Sequence, residues 1–197
     1  MEKKNIYDAI IIGGGASGLM CAITAKEHDR SKKIAIIEKN DRLGKKIFIT
    51  GKGRCNITNA SDIQNHFANI MRNSKFLYSA YNNFSYEDIC NMIESAGVKT
   101  KIERGNRVFP ESDKSSDVIW ALSKMMKDVG VNVHLNKNVT DVLSDASGVI
   151  VKCFDGKDFM GDKCIIATGG LSYPSTGSTG DGYKFAKNMG HTIEETY

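Results

Sequence analysis

A chain of 197 residues is long enough for one domain with a well-buried core, or for one domain and part of a second. Its ordinary apolar share of 41% argues against disorder, and its net charge of +4, scattered as Lys3-Lys4, Lys32-Lys33 and Lys45-Lys46 among acidic residues, reads as a solvated surface and implies no nucleic-acid partner. No apolar run approaches the roughly 20 residues that span a bilayer, so no membrane partner is implied, and five cysteines without C-x-x-C spacing read as free thiols of a reducing, cytoplasmic compartment.

Residues 6–12 read as a short apolar strand ending in Ile10-Ile11-Ile12. The turn Gly13-Gly14-Gly15-Ala16-Ser17-Gly18 follows and opens a helix that runs to about His28, with Leu19, Met20, Ile23 and Cys21 toward a sheet. Gly13, Gly15 and Gly18 fall on the G-x-G-x-x-G spacing. Such a strand-turn-helix aims backbone N–H groups and the positive end of a helix dipole at one point, which suits a pyrophosphate. Residues 33–38 form a second buried strand, completing a βαβ unit with a right-handed crossover. It ends in Glu38, twenty residues past Gly18, where a carboxylate can accept hydrogen bonds from both ribose hydroxyls. An acid there disfavours a 2′-phosphate and leaves FAD or NAD open.

Residues 41–59 are glycine-rich and basic, and 62–82 are weakly helical. A better helix covers 86–96, with Ile89, Met92 and Ile93 on one face and Gly97 as its stop. Residues 98–103 and 107–109 read as strands around the Gly105-Asn106 turn. Ser116 is the expected cap of a helix running to about Val129. A strand over 131–135 precedes three alternating segments, 138–143, 148–154 and 158–161, that read as an antiparallel meander with a turn at Asp155-Gly156. A separate buried strand over 164–167 runs into Thr168-Gly169-Gly170, whose glycines let the chain pass close to a ligand. A last helix covers 182–189, with Gly180-Asp181-Gly182 as its capping segment. The fold class is therefore α/β: a Rossmann-like domain with a parallel, doubly wound sheet and a three-stranded antiparallel meander. His28, His66, His134 and His191 show no metal-ligand spacing, so no metal is assigned, and no residue is nominated as catalytic.

The order of βαβ unit, basic glycine loop, meander and Ala167-Thr168-Gly169-Gly170 resembles the two-dinucleotide-fold flavoproteins of the glutathione reductase type. More narrowly, the chain resembles the HI0933-like (YhiN/BaiN-type) family of NAD(P)/FAD-dependent oxidoreductases. The carrying stretches are Gly13 to Leu19, Glu38-Lys39, Gly44-Lys45-Lys46-Ile47, Thr50-Gly51-Lys52-Gly53-Arg54-Cys55-Asn56-Ile57-Thr58-Asn59, Arg107-Val108-Phe109-Pro110 and Ala167 to Gly182. Lys52 departs from the pattern, in which glycine is common. The resemblance implies FAD as cofactor, held by Gly13, Gly15, Ala16, Ser17, Gly18, Glu38, Lys39, Lys46, Gly53, Arg54, Cys55, Asn56, Val139, Ala167, Thr168, Gly169 and Gly170. Within that set it implies Arg54 on phosphate oxygens, Asn56 on a flavin carbonyl and Cys55 as packing beside the cofactor, since Cys55 lacks a neighbouring redox cysteine.

The function so implied is hydride transfer through FAD from NAD(P)H to an organic small-molecule acceptor, and one branch of the family is associated with conjugated keto-steroids such as bile-acid intermediates. Relatives are longer, so residues 1–197 correspond to the N-terminal part of an FAD-binding domain, lacking an inserted substrate domain and a returning C-terminal FAD segment. Exposed edges of such a fold favour a homodimer or weak FAD binding. Two other readings stay open: a non-catalytic FAD-binding or interaction fragment, and an NAD-binding dehydrogenase fragment. Flavin-dependent RNA modification shares the glycine motif but calls for a basic RNA-binding face, which the sequence does not display.

Overall fold

The computed structural model describes residues 6–195. In chain order the strands and helices are β1 (Ile6–Ile12), α1 (Ala16–His28), β2 (Ile34–Ile37), α2 (Lys45–Ile49), β3 (Thr58–Asn59), α3 (Ile63–Ala68), α4 (Tyr78–Asn83), α5 (Tyr86–Ser95), β4 (Thr100–Glu103), β5 (Arg107–Pro110), α6 (Ser115–Val129), β6 (Asn132–His134), β7 (Val139–Asp145), β8 (Gly148–Cys153), β9 (Phe159–Ile166) and α7 (Asp181–Asn188). They form two units, Met1–Ile47 with Ser123–Tyr197, and Phe48–Leu122.

The first unit is built on a six-stranded sheet of order β6-β2-β1-β9-β8-β7. β1 pairs in parallel with β2 and with β9, and β2 pairs in parallel with β6. β2 is buried at all four positions, the mark of a parallel strand covered on both faces. α1 buries Leu19, Ala22, Ile23 and Lys26, an i, i+3, i+4, i+7 stripe, while Met20 and Cys21 are only half-buried. Lys26 is tolerated on that stripe because its ammonium donates to the Arg30 and Lys32 carbonyls at 2.6 and 2.9 Å. A core cluster joins Ile10, Ile12, Ile37, Val142, Val151 and Phe159 of the sheet to Phe185 of α7.

The meander and the last parallel strand are continuous, where the sequence suggests a break between 161 and 164. β9 is one strand of eight residues. Val151, Ile150 and Val149 of β8 pair antiparallel with its Phe159 to Gly161, and β1 pairs in parallel along it from Met160 to Ile166. Gly161, Asp162 and Lys163 look like a turn by composition. Gly161 is instead closely packed, where a β-carbon would stand 2.8 Å from the Tyr7 carbonyl oxygen, and Asp162 and Lys163 are simply exposed.

The second unit contains a three-stranded antiparallel sheet, β3-β5-β4, closed by the expected Gly105-Asn106 turn and buried at Val108 and Phe109. α5 begins with a capping box between Ser85 and Asp88, which satisfies two N-terminal donors reciprocally. α6 starts at Ser115, one residue before the expected cap, and the Ser115 hydroxyl donates to the Phe48 carbonyl at 2.8 Å. Among the described residues no helix is long and apolar enough to cross a membrane.

Candidate functional site

The site is assembled where β1, β2 and β9 end. The Gly13 N–H donates to Ile37 O at 2.9 Å, and the Ala167 N–H to Ile12 O at 2.8 Å, so the glycine turn is pinned between its two neighbours. The turn is a close approach of backbones. A β-carbon on Gly13 would stand 2.4 Å from the Ala167 carbonyl oxygen, and one on Gly18 would stand 1.9 Å from the Gly13 carbonyl oxygen. Gly15 is different: nothing lies within 4 Å of where its β-carbon would be. It is the N-cap of α1, with extended backbone and no side-chain cap, and Ala16 and Ser17 beside it are exposed. The first turn of α1 carries no acidic side chain of its own, and its first N–H groups have no partner within the helix. Two glycines hold the turn together and the third leaves room for a ligand; that division of labour fits a dinucleotide pyrophosphate.

Glu38 follows β2 and is buried, with 7% of its surface exposed. Its Oε2 accepts the Gly14 N–H at 2.6 Å, and its Oε1 accepts both the backbone N–H and the side-chain amide of Asn40 at 2.7 Å each. The carboxylate is thus held directly beside the glycine turn by three donors. Lys39 donates to Thr179 Oγ1 and to Asp181 Oδ2, each at 2.7 Å, and Lys46 donates to the hydroxyl of Ser172 at 2.7 Å with its ammonium 5.4 Å from the centre of the Tyr173 ring. Burial raises the Asp181 carboxyl, but the bonds from Lys39 and Thr179 outweigh it and hold the group below its ordinary range. Asp181 lies in the first turn of α7, whose N-cap is Gly180 in the left-handed region. The capping segment named from sequence therefore acts through Gly180 backbone geometry, with the Asp181 side chain turned to Lys39.

Ala167 and Thr168 are half-buried, Gly169 is exposed, and the Gly170 carbonyl accepts the Gly180 N–H at 3.1 Å. Val139 sits at the start of β7 with its side chain in the hydrophobic core. The remaining candidates, Gly53, Arg54, Cys55 and Asn56, belong to the second unit. There Gly53 and Asn56 are exposed. Arg54 is engaged within its own unit: its guanidinium pairs with Glu103 at 2.7 and 3.3 Å, lies 3.4 Å from Asp113 and stacks 4.0 Å from the centre of the Phe109 ring. Cys55 is buried with φ of 60°, and burial pushes its thiol up, against a smaller opposing bond to Thr50, which fits packing and not redox chemistry. Asn40 is the residue the sequence reading passes over. Its signal was present in an asparagine two residues after the candidate acid, where a side chain and a backbone N–H can both reach back to one carboxylate.

Residues 7–196 match the model of the HI0933-like protein Rossmann domain. The chain is 35% identical to the 3-dehydro-bile acid delta(4,6)-reductase of Clostridium scindens, over 93% of this chain and 44% of the relative. It is 30% identical to the ribosomal RNA dihydrouridine synthase of Escherichia coli, over 96% of this chain and 46% of the relative. It thus spans about half the length of the curated relatives it matches. The 3-ketosteroid-delta4-(5alpha)-dehydrogenase of Rhodococcus jostii RHA1 superposes with a TM-score of 0.64 at 14% identity, covering 88% of this chain and 48% of that structure, which shows the shared fold. The chain belongs to the HI0933-like family, an FAD-binding family of Rossmann-fold flavoproteins.

Proposed function

We propose that residues 1–197 are the N-terminal part of the FAD-binding domain of an NAD(P)H-dependent oxidoreductase, and that the acceptor is a carbon–carbon double bond conjugated to a carbonyl. The observation that carries the cofactor assignment is the open space at Gly15, the N-cap of α1, next to Gly14, whose N–H donates to the Glu38 carboxylate. In this reading the α1 N-terminus and the Gly13 to Gly18 turn hold the pyrophosphate, and Glu38 accepts a hydrogen bond from the adenosine ribose. Gly169 and Gly170 keep the end of β9 free of side chains beside the turn. When bound, the flavin supplies two-electron redox chemistry, and the protein supplies position and electrostatics.

The acceptor class is supported by what the relatives' names have in common. One is a reductase of a delta(4,6) 3-dehydro-bile acid and the other a dihydrouridine synthase. A 3-oxo steroid unsaturated at C4 and the uracil ring share one reacting unit, a double bond polarised by a neighbouring carbonyl. Lys39, Lys45 and Lys46 are each engaged, by Asp181 and Thr179, by Asn40 and by Ser172, and a carboxylate stands at the ribose end, which suits an unphosphorylated 2′-hydroxyl. The test is titration of the protein with FAD, followed, in a longer chain that carries the substrate domain, by anaerobic mixing with NADH or NADPH and then with a 3-oxo-Δ4 steroid or a uridine-containing RNA. Flavin bleaching by the nicotinamide and its return on adding one acceptor is the expected result. Absence of FAD binding refutes the cofactor assignment, and bleaching that neither acceptor reverses refutes the acceptor class.

A further inference from the structure

Asn40 makes as many polar contacts at the site as Glu38 itself, though the sequence gives it no role. Its side-chain amide donates to Glu38 Oε1 at 2.7 Å and to the Thr176 carbonyl at 3.2 Å, while its Oδ1 accepts from the Lys45 ammonium at 3.1 Å. Chemistry fixes this amide orientation. An ammonium can only donate, and a carboxylate and a carbonyl can only accept, so the reversed amide would fail at all three partners. The backbone joins in: the Asn40 N–H donates to the same Oε1 at 2.7 Å, and its carbonyl accepts from the Asn136 N–H at 3.0 Å. The 172–180 loop is built to allow this approach. A β-carbon on Gly177 would stand 2.8 Å from the Asn40 side-chain nitrogen.

The consequence lies in the lone pairs of Glu38. A carboxylate offers about two acceptor positions on each oxygen. Asn40 fills both on Oε1, and Gly14 fills one on Oε2, which leaves a single position, on Oε2, beside the glycine turn. We propose that Asn40 is the positioning residue of the ribose-reading carboxylate: by saturating Oε1 it fixes the Glu38 rotamer and restricts it to reading one hydroxyl of the adenosine ribose instead of both. This rests on the cofactor assignment above and deepens it.

The test compares FAD with its 2′-deoxyadenosine and 3′-deoxyadenosine analogues by titration with the unsubstituted protein, Asn40→Ala and Asn40→Leu, neither of which keeps a side-chain donor. In the unsubstituted protein, loss of one hydroxyl is expected to weaken binding about tenfold or more, the weight of one hydrogen bond to a charged acceptor, and loss of the other much less. In both variants the two analogues should fall within about threefold of each other, because loss of the side-chain amide frees one acceptor position on Oε1 for the second hydroxyl while the backbone N–H keeps the other. Equal weakening by both analogues in the unsubstituted protein overturns the inference without recourse to any variant. So does discrimination that survives in the variants, which would make Asn40 a structural residue only. If the unsubstituted protein binds none of the three dinucleotides, the cofactor assignment fails and this inference falls with it.

Discussion

The Gly13 carbonyl oxygen lies 1.9 Å from where a β-carbon on Gly18 would stand, whereas Gly15, between them, faces open space. Two glycines of one motif therefore answer to different pressures. Gly18→Ala forces backbone against backbone and is expected to lower stability by about 3 kcal/mol or more, at the upper end for overpacking. Gly15→Ala has no such clash, and its backbone is already extended, so thermal unfolding should shift little. The same methyl group would stand where a pyrophosphate approaches, and FAD affinity should fall by about tenfold or more. Thermal unfolding and FAD titration of the two variants check the pair.

Glu38→Gln separates charge from shape. Glutamine offers one acceptor oxygen where three donors converge, from Gly14 and twice from Asn40. Either the Gly14 N–H or the Asn40 pair then meets an NH₂ group, at a cost of about 1–3 kcal/mol for the unsatisfied buried donors. FAD binding should weaken about tenfold beyond what the stability loss explains, since the ribose hydroxyl loses a charged acceptor. Denaturant unfolding with and without FAD distinguishes the two contributions.

The parts of the molecule legible in the sequence are those where local pattern and fold agree. Ile10 to Gly18, the four buried residues of β2 and Glu38 combine periodicity, turn chemistry and spacing, and the structure places them together at one sheet end. β9 looks like two strands in the sequence because Gly161-Asp162-Lys163 has turn composition, while its real constraint is the Tyr7 backbone, more than 150 residues away in sequence. Arg54 was legible as a charged residue in a glycine loop, but not as a partner of Glu103, Asp113 and Phe109, because nothing local predicts which distant carboxylates converge on a guanidinium. Asn40 is not legible as a site residue, since asparagine after a strand usually signals only a turn.

Alkaline pH should weaken the fold through two thiols. Burial, helped at Cys153 by the nearby Asp155, pushes Cys153 up to about 11, and burial pushes Cys164 up to about 11 as well. The folded state therefore keeps protons that the unfolded chain releases from about pH 9. Where the unfolded state binds fewer protons, stability falls as pH rises. The thiol contribution is constant below that window, declines through it and levels off above about pH 11. Denaturant unfolding at stepped pH, compared between the unsubstituted protein and Cys153→Ala/Cys164→Ala, isolates the effect from lysine and tyrosine titration. The expected result is a shallower alkaline decline in the double variant.

Arg54 and Glu103 supply a test of what the glycine-rich loop of the second unit needs. Arg54→Lys keeps the positive charge but gives up the two-pronged contact with Glu103 and the flat stacking on Phe109. Glu103→Gln removes the same contact from the other side. If the ion network anchors the 50–56 loop, each change lowers the thermal midpoint, and the double variant loses less than the sum of the two, as expected for residues in direct contact. High salt should narrow the gap between the unsubstituted protein and either variant, because the pair is partly exposed and screened. A guanidinium kept for a phosphate ligand behaves otherwise: Arg54→Lys and Glu103→Gln would each leave the midpoint of the ligand-free protein unchanged, and so would the double variant.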